Sequence, residues 1–282
     1  MLNIKTIKQL RADIKRWRMA GESIAFVPTM GNLHAGHLQL VQTAKQQADR
    51  VVVSIFVNPT QFNEQDDFTN YPRTIDADVE KLQSAGVAML YMPEREEMYS
   101  CEVHTKVSVR TVTEIYCGAS RPGHFDGVAT VVCKLFNIVQ PDKAFFGEKD
   151  FQQLLVIRTM VADLNCPVDI IGIATFRETD GLAMSSRNNH LTKEERWQGA
   201  YLYQTLCSAK QAVLEQQASF AEIEKTSLQA LSEKGFIPDY FSICRRHDLR
   251  AAAIGDTQLI ILAAARLGST RLIDNIQLEL IL

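Results

Sequence analysis

Two histidines stand three residues apart in the stretch Pro28-Thr29-Met30-Gly31-Asn32-Leu33-His34-Ala35-Gly36-His37. A short apolar run, Ile24 to Val27, precedes it, and a helical pattern opens at about Gly36. The stretch therefore reads as a strand-to-helix turn. Glycines in such a turn let backbone N–H groups approach a phosphate at the positive end of a helix. Three apart on a first helical turn, both imidazoles point to one side. There they can donate hydrogen bonds to phosphate oxygens as charge moves in a transition state. The plainer reading is a glycine turn with two surface histidines. Its place after the first strand of an alternating strand and helix pattern favours nucleotide binding.

A second segment, Phe146-Gly147-Glu148-Lys149-Asp150, closes another strand-like run just before a helical one. Ligands of open α/β sheets collect at the carboxyl ends of strands, so Lys149 is expected on the face of the histidines. Lysine acts there as a point charge on phosphate. A third, Asp180-Gly181-Leu182-Ala183-Met184-Ser185-Ser186-Arg187-Asn188, offers two hydroxyls and a fixed positive charge to a polyphosphate tail. Its small residues can also act as a hinge. Taken singly, these two are also what a solvated corner and a Ser-Gly linker look like. The early His-x-Gly-His with the late Met-Ser-Ser-Arg is a pairing typical of enzymes that attack the α-phosphate of ATP.

These segments need elements to hold them. Apolar runs at Ile24–Val27, Val51–Val57, Val87–Tyr91, Lys143–Phe146 and Val168–Thr175 alternate with helical spacing at Gly36–Ala48, Ile75–Ala85, Val128–Val139 and Phe151–Leu164. This is the pattern of buried parallel strands with crossover helices, a Rossmann-like doubly wound α/β sheet. Beyond Thr175 come the polar stretch Arg177–Asn189, helical segments at Thr192–Gln216 and Phe220–Lys234, and strand-like runs at Tyr240–Cys244 and Leu259–Ala265. We expect residues 1–176 as a nucleotide- and substrate-binding domain and 177–282 as a smaller α+β domain. The longest loop, Asn58 to Thr74, is long enough to be functional.

The 282 residues carry 30 Lys plus Arg against 33 Asp plus Glu, a formal net charge of −3 with no basic patch or tail. That argues against nucleic acid and anionic lipid as partners. Cys101, Cys117, Cys133, Cys166, Cys207 and Cys244 form no C-x-x-C pair, and they read as buried thiols of a reducing compartment. Basic residues interrupt the apolar positions of the first 21 residues, and no run approaches a membrane helix. A cytoplasmic protein is expected. His104, His190 and His247 read as surface or hydrogen-bonded core histidines, Glu94, Glu96 and Glu97 as a solvated face, and Trp17 and Trp197 as helix packing. His124 takes no chemical step that we can assign.

Further ordered blocks complete the pattern: Val57-Asn58-Pro59-Thr60-Gln61-Phe62, Tyr71-Pro72-Arg73-Thr74, His124-Phe125-Asp126-Gly127-Val128 and Phe146 to Gln153. With the His-x-Gly-His and Met-Ser-Ser-Arg segments, they make nearly the whole chain resemble the pantothenate synthetase family. Its members join pantoate to β-alanine while ATP goes to AMP and pyrophosphate. The resemblance implies a Rossmann-like domain with a C-terminal lid, Mg²⁺ dependence and a homodimer. It implies ATP contacts from Met30, Gly31, Asn32, Leu33, His34, Ala35, Gly36 and His37, with His34 and His37 on the phosphates. Gly147, Glu148, Lys149, Asp150, Phe176, Met184, Ser185, Ser186 and Arg187 would complete that site. Gln61 and Gln153 would hold pantoate, with Gln61 also near β-alanine, and the Mg²⁺ ligands stay unassigned. Two positions depart from the family pattern: Ala35 replaces a common acidic residue, and Phe176 a common valine beside the adenine.

The chemistry agrees with the residues. A carboxylate becomes an acylating agent only when its oxygen is given a better leaving group, and adenylation supplies one. That step asks for positioning and charge neutralisation rather than a covalent nucleophile. Two rivals share some of these residues: a nucleotidyltransferase acting on a phosphorylated alcohol, and a nucleotide-sensing module without turnover. The first needs extra cations where Gln61 stands, and the second has no use for His37, Lys149 and Arg187 together.

Overall fold

A computed structural model describes residues 1–63, 68–99 and 103–280. Two compact units emerge, the first comprising Met1–Glu148 with Gln152–Ala174, the second Lys149–Phe151 with the chain from Thr175 onward.

The first unit is built on a six-stranded parallel sheet: β1 (Leu2–Ile4), β2 (Ile24–Thr29), β3 (Arg50–Ile55), β4 (Met89–Tyr91), β5 (Lys143–Gly147) and β6 (Asp169–Ile173). Their spatial order is β1-β4-β3-β2-β5-β6. Successive residues of the inner strands go to opposite faces, and both faces are covered. Ala25, Val27, Val51, Val53, Leu90 and Phe145 pack with Leu40, Val41 and Ala44 of the helix Ala35–Gln47 and Leu82 of the helix Ile75–Ser84. On the other face Phe26 meets Phe136 of the helix His124–Val139 edge-on at 6.4 Å. Burial on both sides explains why these strands are unbroken apolar runs rather than alternating ones.

From β2 the order runs outward through β3 and β4 on one side and through β5 and β6 on the other. The sheet therefore reverses direction of winding between β2 and β5, the point where open α/β sheets bind ligands outside their carboxyl ends. The first motif follows β2 and the second follows β5.

The second unit holds an antiparallel sheet of β7 (Ile237–Arg245), β8 (Gln258–Leu267) and β9 (Thr270–Glu279), in that order. Leu202 and Leu206 of the helix Ala200–Leu214, and Ile223 and Leu231 of the helix Phe220–Glu233, pack with Phe241, Ile261 and Ala263 of the sheet. Ser219 caps the N-terminus of the second helix and pairs reciprocally with Glu222, a capping box that fixes where the helix starts.

Several expectations need correction. The sequence reading named no element before Ser23, yet the helix Ile7–Met19 forms there with Thr6 accepting from the Gln9 N–H as its cap. The helical stretch from Thr192 is interrupted at Gly199, dividing Lys193–Gln198 from Ala200–Leu214. There Leu202 N–H reaches Gly199 C=O at 3.2 Å, a tightened i to i−3 turn. β9 was missed because Asp274 and Asn275 interrupt its apolar alternation. Of the cysteines only Cys244 is buried; Cys117, Cys133, Cys166 and Cys207 are half-buried, and Cys101 lies outside the described residues. Trp197 does not pack a core, being 71% exposed with its ring edge against Tyr201. Among the described residues no helix is long and apolar enough to cross a membrane.

Candidate active site

In the first unit the chain leaves β2 at Thr29 and turns at two consecutive left-handed residues, Gly31 (φ +82°) and Asn32 (φ +50°). A side chain at position 31 would press on Ile55 and on the Asp78 carboxylate, so only glycine fits there without rearrangement. Asp78, fully buried on the helix Ile75–Ser84, accepts the N–H groups of Asn32 and Leu33 at 2.8 Å each and the Thr74 hydroxyl at 3.1 Å. The Gly31 N–H donates to the Thr29 hydroxyl at 3.2 Å. Lys81 holds the Leu33 carbonyl at 2.7 Å.

These bonds revise the sequence reading of the turn. Its N–H groups were expected to cradle a phosphate, but those of Gly31, Asn32 and Leu33 are already bound to protein oxygens. What the turn does is aim the next residues. Asp78→Asn should place a donor against at least one backbone N–H and cost about 2 kcal/mol of stability. Thermal unfolding checks this; an unchanged midpoint would mean the turn holds itself without the carboxylate.

His34 is the N-cap residue of the helix Ala35–Gln47. Its ring lies 4.0 Å from that of His37, centroid to centroid, at 39°, so the i, i+3 spacing brings the imidazoles together as expected. The His34 N–H donates to His37 Nδ1 at 3.3 Å. An Nδ1 that accepts leaves the proton of the neutral ring on Nε2. His37 thus presents an Nε2–H donor at the positive end of a helix. Ala35 is exposed and Gly36 half-buried beside them.

Gln61 closes the turn Pro59–Gln61 after β3 and is itself buried. Its Oε1 accepts from Asn58 Nδ2 at 3.0 Å, leaving the amide nitrogen as its presenting end, 3.4 Å from the Met30 sulfur. Asn58 is clamped in turn, taking the Tyr99 hydroxyl at 2.8 Å and donating to the Gly127 carbonyl at 3.2 Å. Burial pushes the Tyr99 hydroxyl above its ordinary pKa, which keeps it a donor.

His124, to which sequence gave no role, acts here through the backbone. Its Nδ1 lies 2.7 Å from the Gln61 carbonyl, while Arg121 approaches Nε2 at 3.4 Å. A carbonyl only accepts, so Nδ1 carries the proton. Gly127 lets the same helix approach: a Cβ there would lie 2.4 Å from the Thr60 carbonyl oxygen. Sequence reasoning missed Asn58, Tyr99 and Asp78 as well. Asn58 lay within a quoted block, but its partners come from distant segments.

Of the two glutamines that begin the helix Phe151–Asp163, Gln152 is structural. It binds the carbonyls of Val112 and Ile115 at 2.7 and 2.8 Å and takes the Cys117 N–H at 3.1 Å. Gln153 is half-buried. Gly147 ends β5, and the Glu148 carboxylate folds back over Gly172 on β6, near Arg158, in space that a side chain at 172 would fill.

In the second unit Lys149 is half-buried and Asp150 exposed. Phe176, 38% exposed, opens a hairpin whose return passes through Met184, with the Met184 N–H on the Phe176 carbonyl at 2.9 Å. The Ser185 hydroxyl accepts the Arg187 N–H at 3.3 Å and so caps the short turn Ser186–His190. Its own O–H stays able to donate. Ser186 and Arg187 are half-buried on that turn. Among the described residues no three His, Cys, Asp or Glu side chains gather as a metal cluster would.

The Pantoate-beta-alanine ligase family model matches residues 3–277. The chain belongs to the pantoate–β-alanine ligase family. A pantothenate synthetase of Azotobacter vinelandii is 53% identical over 282 residues, covering 99% of this chain and 100% of that one. One of Pseudomonas putida is 54% identical over the same length, 99% of this chain and 98% of its own. The crystal structure of the Thermus thermophilus pantothenate synthetase superposes with a TM-score of 0.92 at 44% identity, covering 98% of this chain and 99% of that one. That of the Francisella tularensis pantoate–β-alanine ligase, complexed with Beta-gamma ATP and β-alanine, gives 0.83 at 32% identity over 98% and 97%. As a pantoate–β-alanine ligase, the chain forms the amide bond of pantothenate from pantoate and β-alanine.

Proposed function

We propose that this ligase drives its amide bond with ATP, through a pantoyl adenylate, releasing pyrophosphate and then AMP. The observation that carries the reading is the His34 and His37 pair, rings tilted against each other at a helix N-terminus where the chain leaves β2 at the winding reversal of the sheet. A donor aimed by its neighbour's backbone at that place suits a phosphate whose charge grows as it is attacked. The ATP and β-alanine bound to the Francisella tularensis relative support it.

A pantoate carboxylate oxygen attacks the α-phosphorus in line. A new P–O bond forms as the bond to pyrophosphate breaks. The β-alanine amine then attacks the acyl carbon, AMP leaves with the bridging oxygen, and the amine loses a proton. Met30 through His37 contact ATP, with His37 Nε2–H and His34 on its phosphates. Lys149 and Arg187 neutralise the polyphosphate while the Ser185 and Ser186 hydroxyls donate to it, Gly147, Glu148, Asp150 and Met184 complete the nucleotide site, and Phe176 stands beside the adenine. The Gln61 amide nitrogen, its oxygen already engaged, donates to pantoate together with Gln153.

Mg²⁺ belongs to the same proposal. It is commonly held by one or two carboxylates plus substrate phosphates, which suits a chain whose exposed Asp150 adjoins Lys149. Bound there, Mg²⁺ would neutralise phosphate charge. A homodimer and a cytoplasmic setting, with the five described cysteines kept as free thiols, complete the reading. With ATP, Mg²⁺ and pantoate but no β-alanine, a stoichiometric burst of pyrophosphate is expected by mass spectrometry. Pyrophosphate that appears only when β-alanine is present would count against a discrete adenylate.

A further inference from the structure

Two neighbouring polar residues in β9, Asp274 and Asn275, are buried. Neither belongs to any motif read from the sequence. The Asp274 carboxylate takes both terminal nitrogens of Arg177, at 2.6 and 3.0 Å. Arg177 also donates to the carbonyls of Gly181 at 3.1 Å and Asn275 at 3.3 Å, and its guanidinium lies 3.6 Å from the Tyr203 ring centroid.

Arg177 therefore sits inside the hairpin that Phe176 opens. Arg177 and Ala183 form its bridge, and the Glu178 N–H reaches the Leu182 carbonyl at 2.9 Å. Gly181 makes its tip at φ +95°, where a Cβ would come within 2.6 Å of Tyr203. The outgoing strand of this hairpin delivers Met184, Ser185, Ser186 and Arg187, and the Asn188 amide ties back to the Ala183 carbonyl at 3.1 Å. Asn275 meanwhile donates from Nδ2 to the Lys149 carbonyl at 2.9 Å. One dipeptide on β9 thus holds, by side chains, both segments that carry the cations.

A buried ion pair adds little net stability once the desolvation of its charges is counted, and what it supplies best is a fixed arrangement. Burial indeed pushes the Asp274 carboxyl above its usual range, against the pull of Arg177. We propose that Asp274 and Asn275 are positioning residues for the adenylation half-reaction, setting Lys149 and the Ser185–Arg187 turn in register with each other. This rests on the reading of Lys149 and Arg187 as polyphosphate ligands. The second half-reaction, in which pyrophosphate has already gone, does not need that register.

The test uses the full chain carrying Asn275→Leu, which removes the donor at nearly constant volume, and Asp274→Asn. Pantoate-dependent ATP–pyrophosphate exchange, amide formation from supplied pantoyl adenylate, and thermal unfolding are measured on each. Misplacement of catalytic groups by about 1 Å can cost a hundredfold. Asn275→Leu should therefore raise the ATP KM or slow exchange by roughly ten- to a hundredfold, with the pantoate KM and the second half-reaction near wild type. Exchange at the wild-type rate in a folded Asn275→Leu chain would overturn the proposal, as would an equal loss in both half-reactions. Should Asp274→Asn fail to fold, Asn275→Leu alone decides. A wild-type chain without exchange would sink the adenylate reading itself, and this proposal with it.

Discussion

His37→Ala should lose adenylation by a factor of about 10² to 10³ while folding normally, since removing one preorganised donor of this kind costs about 3 kcal/mol. The structure makes the expectation specific. The residue is half-buried, and its ring accepts the N-cap N–H of its own helix, so truncation gives up that capping bond, about 1 kcal/mol, without opening the core. Its Nδ1 accepts the His34 N–H at 3.3 Å, so the donor that the variant loses is the Nε2–H. Because charge builds on the phosphate only during attack, the fall should appear in kcat more than in the ATP KM. Single-turnover formation of the adenylate measures it. Wild-type turnover would remove His37 from the mechanism.

Arg187→Ala should separate the half-reactions. A charge-assisted bond to a polyphosphate is worth about 2 kcal/mol, so adenylation should slow or require more ATP by roughly thirtyfold. Amide formation from supplied pantoyl adenylate should change far less, because the pyrophosphate that Arg187 neutralises has already left. Ser185 caps the turn through its own hydroxyl and the Arg187 backbone N–H, so the turn survives loss of the side chain. Equal impairment of both half-reactions would place Arg187 on the AMP moiety instead.

What could be read in the sequence was local. The alternation of strands and helices survives in β2, β3 and β5 because their inner residues are buried on both faces, and in the edge strand β6 because Ile171 and Ile173 still pack against the same core. The two histidines meet because three residues of helix bring them there. What could not be read depends on partners far apart in the chain: Asn32 with Asp78 across 46 positions, Gln61 with His124 across 63, Arg177 with Asp274 across 97 and Lys149 with Asn275 across 126. No period or spacing announces such a bond. In the Gly31 turn, likewise, nothing nearby in the chain says that a buried carboxylate takes the N–H groups of Asn32 and Leu33. His124 was similar: its block was visible, but its work is done on a backbone carbonyl of another segment.

The central claim is that a pantoate oxygen becomes the bridge to AMP, and isotope transfer tests it most directly. Pantoate labelled with ¹⁸O in its carboxylate is turned over with ATP, Mg²⁺ and β-alanine, and the products are weighed. Attack on the α-phosphorus predicts AMP carrying one ¹⁸O atom, with unlabelled pyrophosphate. Unlabelled AMP, or label in inorganic phosphate, would contradict the adenylate and show that the carboxylate is activated by another route.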